Sequence, residues 1–160
     1  MGILYDYLAL GKLPIRERYE SCYKILKNDA DESLRVEALW AVGNLLELSP
    51  DNNLKEKIED ILVYVLKNDK NAIVRHEAAY QLGEHEVLER LSDLIDAILH
   101  DPNEVVRHES IEAVGLMRKI DAIKDIEPAL KDHNESVRQT AELVIKQLRR
   151  LEKLQAAQTT

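Results

Sequence analysis

The chain has 160 residues and a formal charge of −8, with 45% hydrophobic residues and no phenylalanine. That length suits one domain with a real core, and the dominance of Leu, Ile, Ala, Val, Glu and Lys favours helix over sheet. The acidic balance repels phosphate backbones, which argues against nucleic acid and for a basic or amine-bearing partner. No apolar run approaches the roughly 20 residues that span a bilayer, the first residues lack a signal-peptide pattern, and the single Cys22 cannot form an intrachain disulfide. A cytoplasmic protein is expected.

Residues 3–10 are expected to form a short apolar helix ending at Gly11, and Pro14 opens a second helix to about Lys27. Tyr19, Cys22, Tyr23 and Leu26 recur there at helical spacing, so the helix has a buried stripe and Cys22 is read as a packing residue. An internal repeat then takes over. Asp29, Asp69, Asp101 and Asp132 each precede an arginine by six residues: Arg35, Arg75, Arg107 and Arg138. Gly43, Gly83 and Gly115 follow their arginines by eight. Asp29/Glu32, Asp101/Glu104 and Asp132/Glu135 read as capping boxes, with Pro102 in the first turn of its helix.

Each repeat is thus expected to be two helices joined by an Asp-capped turn. The outer helices are placed near 14–27, 54–67, 87–100 and 118–131, the inner ones near 32–47, 71–83, 103–117 and 134–154. Leu34/Ala38/Val42, Val74/Ala78/Leu82, Val106/Ser110/Val114 and Val137/Ala141/Ile145 form the core-facing stripes of the inner helices. Stacking the pairs makes one continuous core. The predicted fold is all-α: a solenoid of about four helix pairs with a short N-terminal helix, one domain over 1–154 and a flexible tail over 155–160. Paired helices with an Asp at the turn and an Arg on the second helix resemble HEAT repeats over about residues 14 to 150.

Two segments stand out within the repeat: Val74-Arg75-His76-Glu77-Ala78-Ala79-Tyr80-Gln81-Leu82-Gly83, and one unit later Val106-Arg107-His108-Glu109-Ser110-Ile111-Glu112-Ala113-Val114-Gly115. The His-Glu pairs share one repeat phase on neighbouring inner helices, whose axes pack about 8–10 Å apart. His76 and His108 can therefore reach one metal, and two histidines with carboxylate is a ligand type of non-haem Fe(II) sites. Tyr80 and Glu112, one turn on, suit hydrogen bonding around such ligands. Trp40 occupies the place of Tyr80 on the preceding inner helix, where it either walls the groove or packs between helices. His85, His100 and His133 are read as surface histidines.

The wording of the two segments resembles the successive motifs of deoxyhypusine hydroxylase, H-E-x-x-Y-x-L-G and H-E-x-x-E-A-x-G. That family's enzyme is a HEAT-repeat, non-haem di-iron monooxygenase that hydroxylates the deoxyhypusine side chain of a translation factor with dioxygen. The resemblance implies metal-ligand roles for His76, Glu77, His108 and Glu109. The family enzyme carries four His-Glu motifs in eight repeats, whereas this chain has half. Its remaining units carry Val36-Glu37 and Gln139-Thr140 at the matching places, which supply no such pair. A homodimer would restore four pairs around a di-iron (Fe2+) centre; zinc or manganese would also suit imidazole and carboxylate. The alternative is a non-catalytic HEAT scaffold whose concave face binds a basic protein partner.

Overall fold

The computed structural model describes residues 12–158, and every regular element among them is helical. The helix expected over 3–10 lies outside the described residues. In chain order the α-helices are α1 (Ile15–Asn28), α2 (Glu32–Gly43), α3 (Asn52–Asn68), α4 (Ala72–Glu84), α5 (Leu91–His100), α6 (Glu104–Leu116), α7 (Ile123–Ile126) and α8 (Glu135–Gln158). α1, α3, α5 and α7 form an outer layer, and α2, α4, α6 and α8 an inner one in which successive helices pack on each other. This is the expected α-solenoid.

The core runs the length of the stack. Tyr19, Cys22 and Leu26 cover the first pair, the stripes Val74/Ala78/Leu82 and Val137/Ala141/Ile145 are buried, and Leu34 is the one partly exposed member of its stripe. The inner helices approach closely because their facing residues are small. A Cβ on Gly83 would lie 2.6 Å from the Ala113 backbone, so only glycine permits this spacing between α4 and α6.

The repeated aspartates and arginines form a ladder. Arg35 donates to both carboxylate oxygens of Asp69, Arg75 to those of Asp101 and Arg107 to those of Asp132, at 2.7–3.0 Å. Each arginine also donates to the carbonyl of its own unit's aspartate, as Arg75 does to Asp69 O at 2.9 Å. Arginine therefore clasps two units at once through charge-assisted, bidentate bonds. Arg138 donates only to the Asp132 and His133 carbonyls.

Three details differ from expectation. The aspartates are not the helix caps: each accepts from the amide two residues on (Asp31, Asn71, Asn103 and Asn134), shaping an Asx turn. The N-caps are those second residues, which accept from Ser33, Ile73, Val105 and Ser136 N–H. Glu32, Glu104 and Glu135 then stand first in their helices, too early for a capping box, and Pro102 precedes its helix. The fourth outer segment is broken: a 3-10 turn (Ile120–Ala122), the single turn α7, then a 3-10 turn (Glu127–Lys131). Pro128 accounts for this, because it lacks an N–H and its ring clashes with the carbonyl four residues back. The last helix, finally, continues through residues 155–158, expected as flexible tail, with its side chains exposed.

After α2, α4 and α6 the chain turns through non-glycine residues in the left-handed region: Ser49 at φ 51°, Glu86 at 46° and Arg118 at 52°. After α2 a 3-10 turn (Asn44–Leu48) and Ser49-Pro50-Asp51 lengthen the connection, and Asp51 caps α3 by accepting from Leu54 N–H at 3.0 Å.

Candidate functional site

Both His-Glu pairs lie mid-helix, on α4 and α6, and the two helices share one phase. That phase creates a rule: each histidine faces the residue at the glutamate place of the next unit. His76 Nε2 is 3.1 Å from Glu109 Oε2, and His108 Nδ1 is 2.7 Å from Thr140 Oγ1. The Thr140 hydroxyl donates to Ser136 O at 3.0 Å, so its oxygen accepts from His108 Nδ1–H. His108 Nε2 lies 3.6 Å from Glu112 Oε1. A fixed tautomer of this sort is how proteins hold ligating histidines ready.

Glu77 has no such partner, because Val36 stands where a histidine would reach it. Its Oε1 instead accepts from Gln81 Nε2 at 2.9 Å, and the Trp40 indole of α2 lies beside the carboxylate. Trp40 also packs on Tyr80, with ring centroids 5.4 Å apart and planes tilted by 39°. Trp40 thus packs between helices, joining α2 to α4, with 43% of its surface exposed. Burial raises the Tyr80 hydroxyl pKa, and the carboxylates of Glu84, Glu77 and Glu109 add to the rise. Glu112 is exposed near His108, and Glu37 is exposed.

The electrostatics follow from these contacts. The Glu109 hydrogen bond raises the His76 pKa against the opposing effect of its burial, with the charges of Glu109, Glu77 and Glu112 adding to the rise. Burial raises the Glu77 carboxyl, and its bond to Gln81, the nearby His76 and the Trp40 indole only partly offset this. Beside the pairs, between α4, α6 and α8, opens a groove of about 700 Å³. Tyr80, Glu109, Glu112 and Thr140 supply its polar wall, and Leu116, Leu143 and Leu151 its apolar one.

A divalent ion bound at ~2.1 Å holds neighbouring ligands about 3 Å apart, which is the spacing of His76 Nε2 and Glu109 Oε2. By type and spacing this pair fits such an ion. Among the described residues, however, no group of three or more His, Cys, Asp or Glu side chains converges on one point. Within one chain the geometry brings His76 to Glu109, while His108 engages Thr140 and Glu112.

The HEAT repeats family pattern matches residues 20–115 and 91–158. The chain belongs to the HEAT-repeat family. Its fold is similar to that of human deoxyhypusine hydroxylase, solved in complex with glycerol, at a TM-score of 0.72 and 21% sequence identity. The match covers 91% of this chain and 48% of that one, so the chain spans about half of its HEAT-repeat neighbour. No curated protein matches the sequence. No helix among the described residues is long and apolar enough to cross a membrane.

Two residues passed over in the sequence belong to this region. Thr140 looks inert because it cannot ligate, yet it orients His108; the clue was its place at the glutamate phase of the next unit. His85 was read as a surface histidine, but its side chain is only 7% exposed and its Nε2 lies 3.2 Å from Gln81 Oε1.

Proposed function

We propose that this HEAT-repeat protein is a non-haem iron oxygenase of the deoxyhypusine-hydroxylase kind, acting in the cytoplasm on an amine-bearing side chain or small molecule. The observation that carries the reading is the His76–Glu109 pair, two metal-type donors from successive repeats at ligand spacing. Glu77 and His108 flank it, the latter with Nδ1 engaged by Thr140 and Nε2 on the side of Glu112. One chain offers too few converging donors for a closed site, so a second copy facing the first supplies the rest in an isologous dimer. The half-length match to the hydroxylase supports that arrangement.

Bound iron supplies the redox chemistry with dioxygen, and the protein supplies ligands and a shaped cleft. His76 must give up Glu109 and any proton it holds before it can ligate. Thr140 keeps the His108 ring oriented, and Gln81 holds Glu77. The neighbouring groove suits a substrate whose ammonium meets Glu109 and Glu112 while its methylenes lie along Leu116 and Leu143.

Native mass spectrometry of protein from iron-supplied cells tests the reading, since one spectrum reports chains and metals together. A dimer with two irons supports it. A monomer that stays metal-free after iron or zinc is added refutes it. That result would favour the second reading, a scaffold for a basic partner, for which the absence of a three-donor cluster among the described residues and the charge of −8 speak.

A further inference from the structure

We propose that Gln81 and His85 are positioning residues for Glu77, together holding its carboxylate in one orientation toward the open face of the inner helices. The inference rests on the reading of Glu77 as part of a metal-binding site. Glu77, Gln81 and His85 lie on successive turns at one face of α4 and its C-terminal end, and their polar groups form a line. Gln81 Nε2 donates to Glu77 Oε1 at 2.9 Å, and Gln81 Oε1 lies 3.2 Å from His85 Nε2. A carboxylate can only accept, so the amide must present its NH2 to Glu77 and its carbonyl to His85. His85 therefore carries its proton on Nε2 and turns Nδ1 toward Glu47, 3.8 Å away on the preceding unit.

Packing alone does not call for this line. Gln81 is 1% exposed, and a buried amide is costly unless both its ends are bonded. At the same place in the next two units stand Ala113 and Val144, each facing the glycine of the inner helix before it. Apolar residues therefore serve at the other two junctions. Only the junction beside Glu77 carries an amide, and Gly43 makes room for it: a Cβ there would lie 2.1 Å from Gln81 Oε1 and 3.1 Å from His85 Nε2.

The difference follows the site. Glu109 has His76 across the interface and Ala113 one turn on; Glu77 has Val36 across the interface and Gln81 one turn on. Glu109 is thus held by a group that must itself leave to ligate. Glu77 is held from within its own helix and can stay in place throughout.

The test uses the full-length chain and two probes, cobalt(II) affinity by absorbance titration and the indole N–H cross-peak of Trp40, the single tryptophan, in metal-free protein. Gln81→Leu is expected to move the Trp40 peak, because the indole lies beside Glu77, and to weaken cobalt binding about 10–100-fold. His85→Ala, which disturbs the line from its far end, should do the same more weakly, while His85→Gln keeps an N–H for the Gln81 carbonyl and restores both. The proposal is overturned if Gln81→Leu and His85→Ala only lower the melting temperature and leave the peak and the affinity unchanged. Wild-type protein that binds no cobalt, with the Trp40 peak still moving in Gln81→Leu, would end the metal reading and uphold the positioning role.

Discussion

Replacing Arg75 with Leu should be among the most damaging single changes outside the hydrophobic core. The Arg75 side chain is 11% exposed and that of Asp101 7%. Their two bonds, at 2.8 and 2.9 Å, are supplemented by the Arg75 bond to Asp69 O. In Arg75→Leu the Asp101 carboxylate stays buried with only the Asn103 amide to satisfy it. Breaking one side of a buried pair costs about 3–5 kcal/mol, a large share of the roughly 5–15 kcal/mol that holds a typical domain. At about 2–4 °C per kcal/mol for a chain of this size, the melting temperature should fall by roughly 6–20 °C. Arg16 and Asp51 provide the control: their contact joins side chains 56% and 55% exposed, and Arg16→Ala should cost at most about 1 kcal/mol. Urea unfolding followed by far-UV circular dichroism measures both. If Arg75→Leu costs no more than Arg16→Ala, the ladder is decoration and the clasp argument is wrong.

Further outcomes follow from single sites. Gly83→Val would drive its side chain into the Ala113 backbone and should destabilise by about 1–3 kcal/mol in the same assay. Arg118 turns at φ 52°, a strain of about 1–2 kcal/mol that glycine lacks, less the roughly 0.5–1 kcal/mol of chain entropy that glycine loses on folding; Arg118→Gly should therefore raise the melting temperature slightly. The His76 pKa is raised in the folded chain by Glu109, so this pair stabilises fully below the ordinary histidine value and fades as pH climbs through the raised one. His76→Gln should accordingly cost more stability at pH 6 than at pH 9, and an equal cost at both would contradict the pairing. Burial pushes the Cys22 thiol up to about 11, so iodoacetamide should leave the native protein unlabelled and modify it rapidly in urea.

The repeat was legible because its landmarks recur: aspartate, arginine and glycine return at matching places, and helix pairs with a shared core follow from that alone. What each landmark does was less legible. The aspartate reads as a helix cap because capping residues and Asx-turn residues are the same types, and only the bonds to the following amides and to the preceding unit's arginine separate the two roles. The outer helix expected over 118–131 contains Pro128, whose missing N–H fits the 3-10 turn found there. At the candidate site, phase along each helix gives His76 and His108 equivalent places on neighbouring inner helices. It carried no information about which side chains meet between helices, and there His76 meets Glu109 rather than His108. His85 is hidden by Gly43 and Glu47 of the preceding unit, a fact no local pattern around His85 contains.

The clasps between units also have a direction. Each arginine reaches forward to the next aspartate, so the clasp at each of these three junctions asks for the same two residues. A tandem copy of the segment from Asp69 to His100, inserted ahead of Asp101, would bring its own arginine for Asp101 and its own aspartate for Arg75. Such a chain would lengthen by duplication with the same clasp at the added junction. Selection would then be left with the choice of which copies carry histidine and glutamate, and so with where along a growing array chemistry is placed.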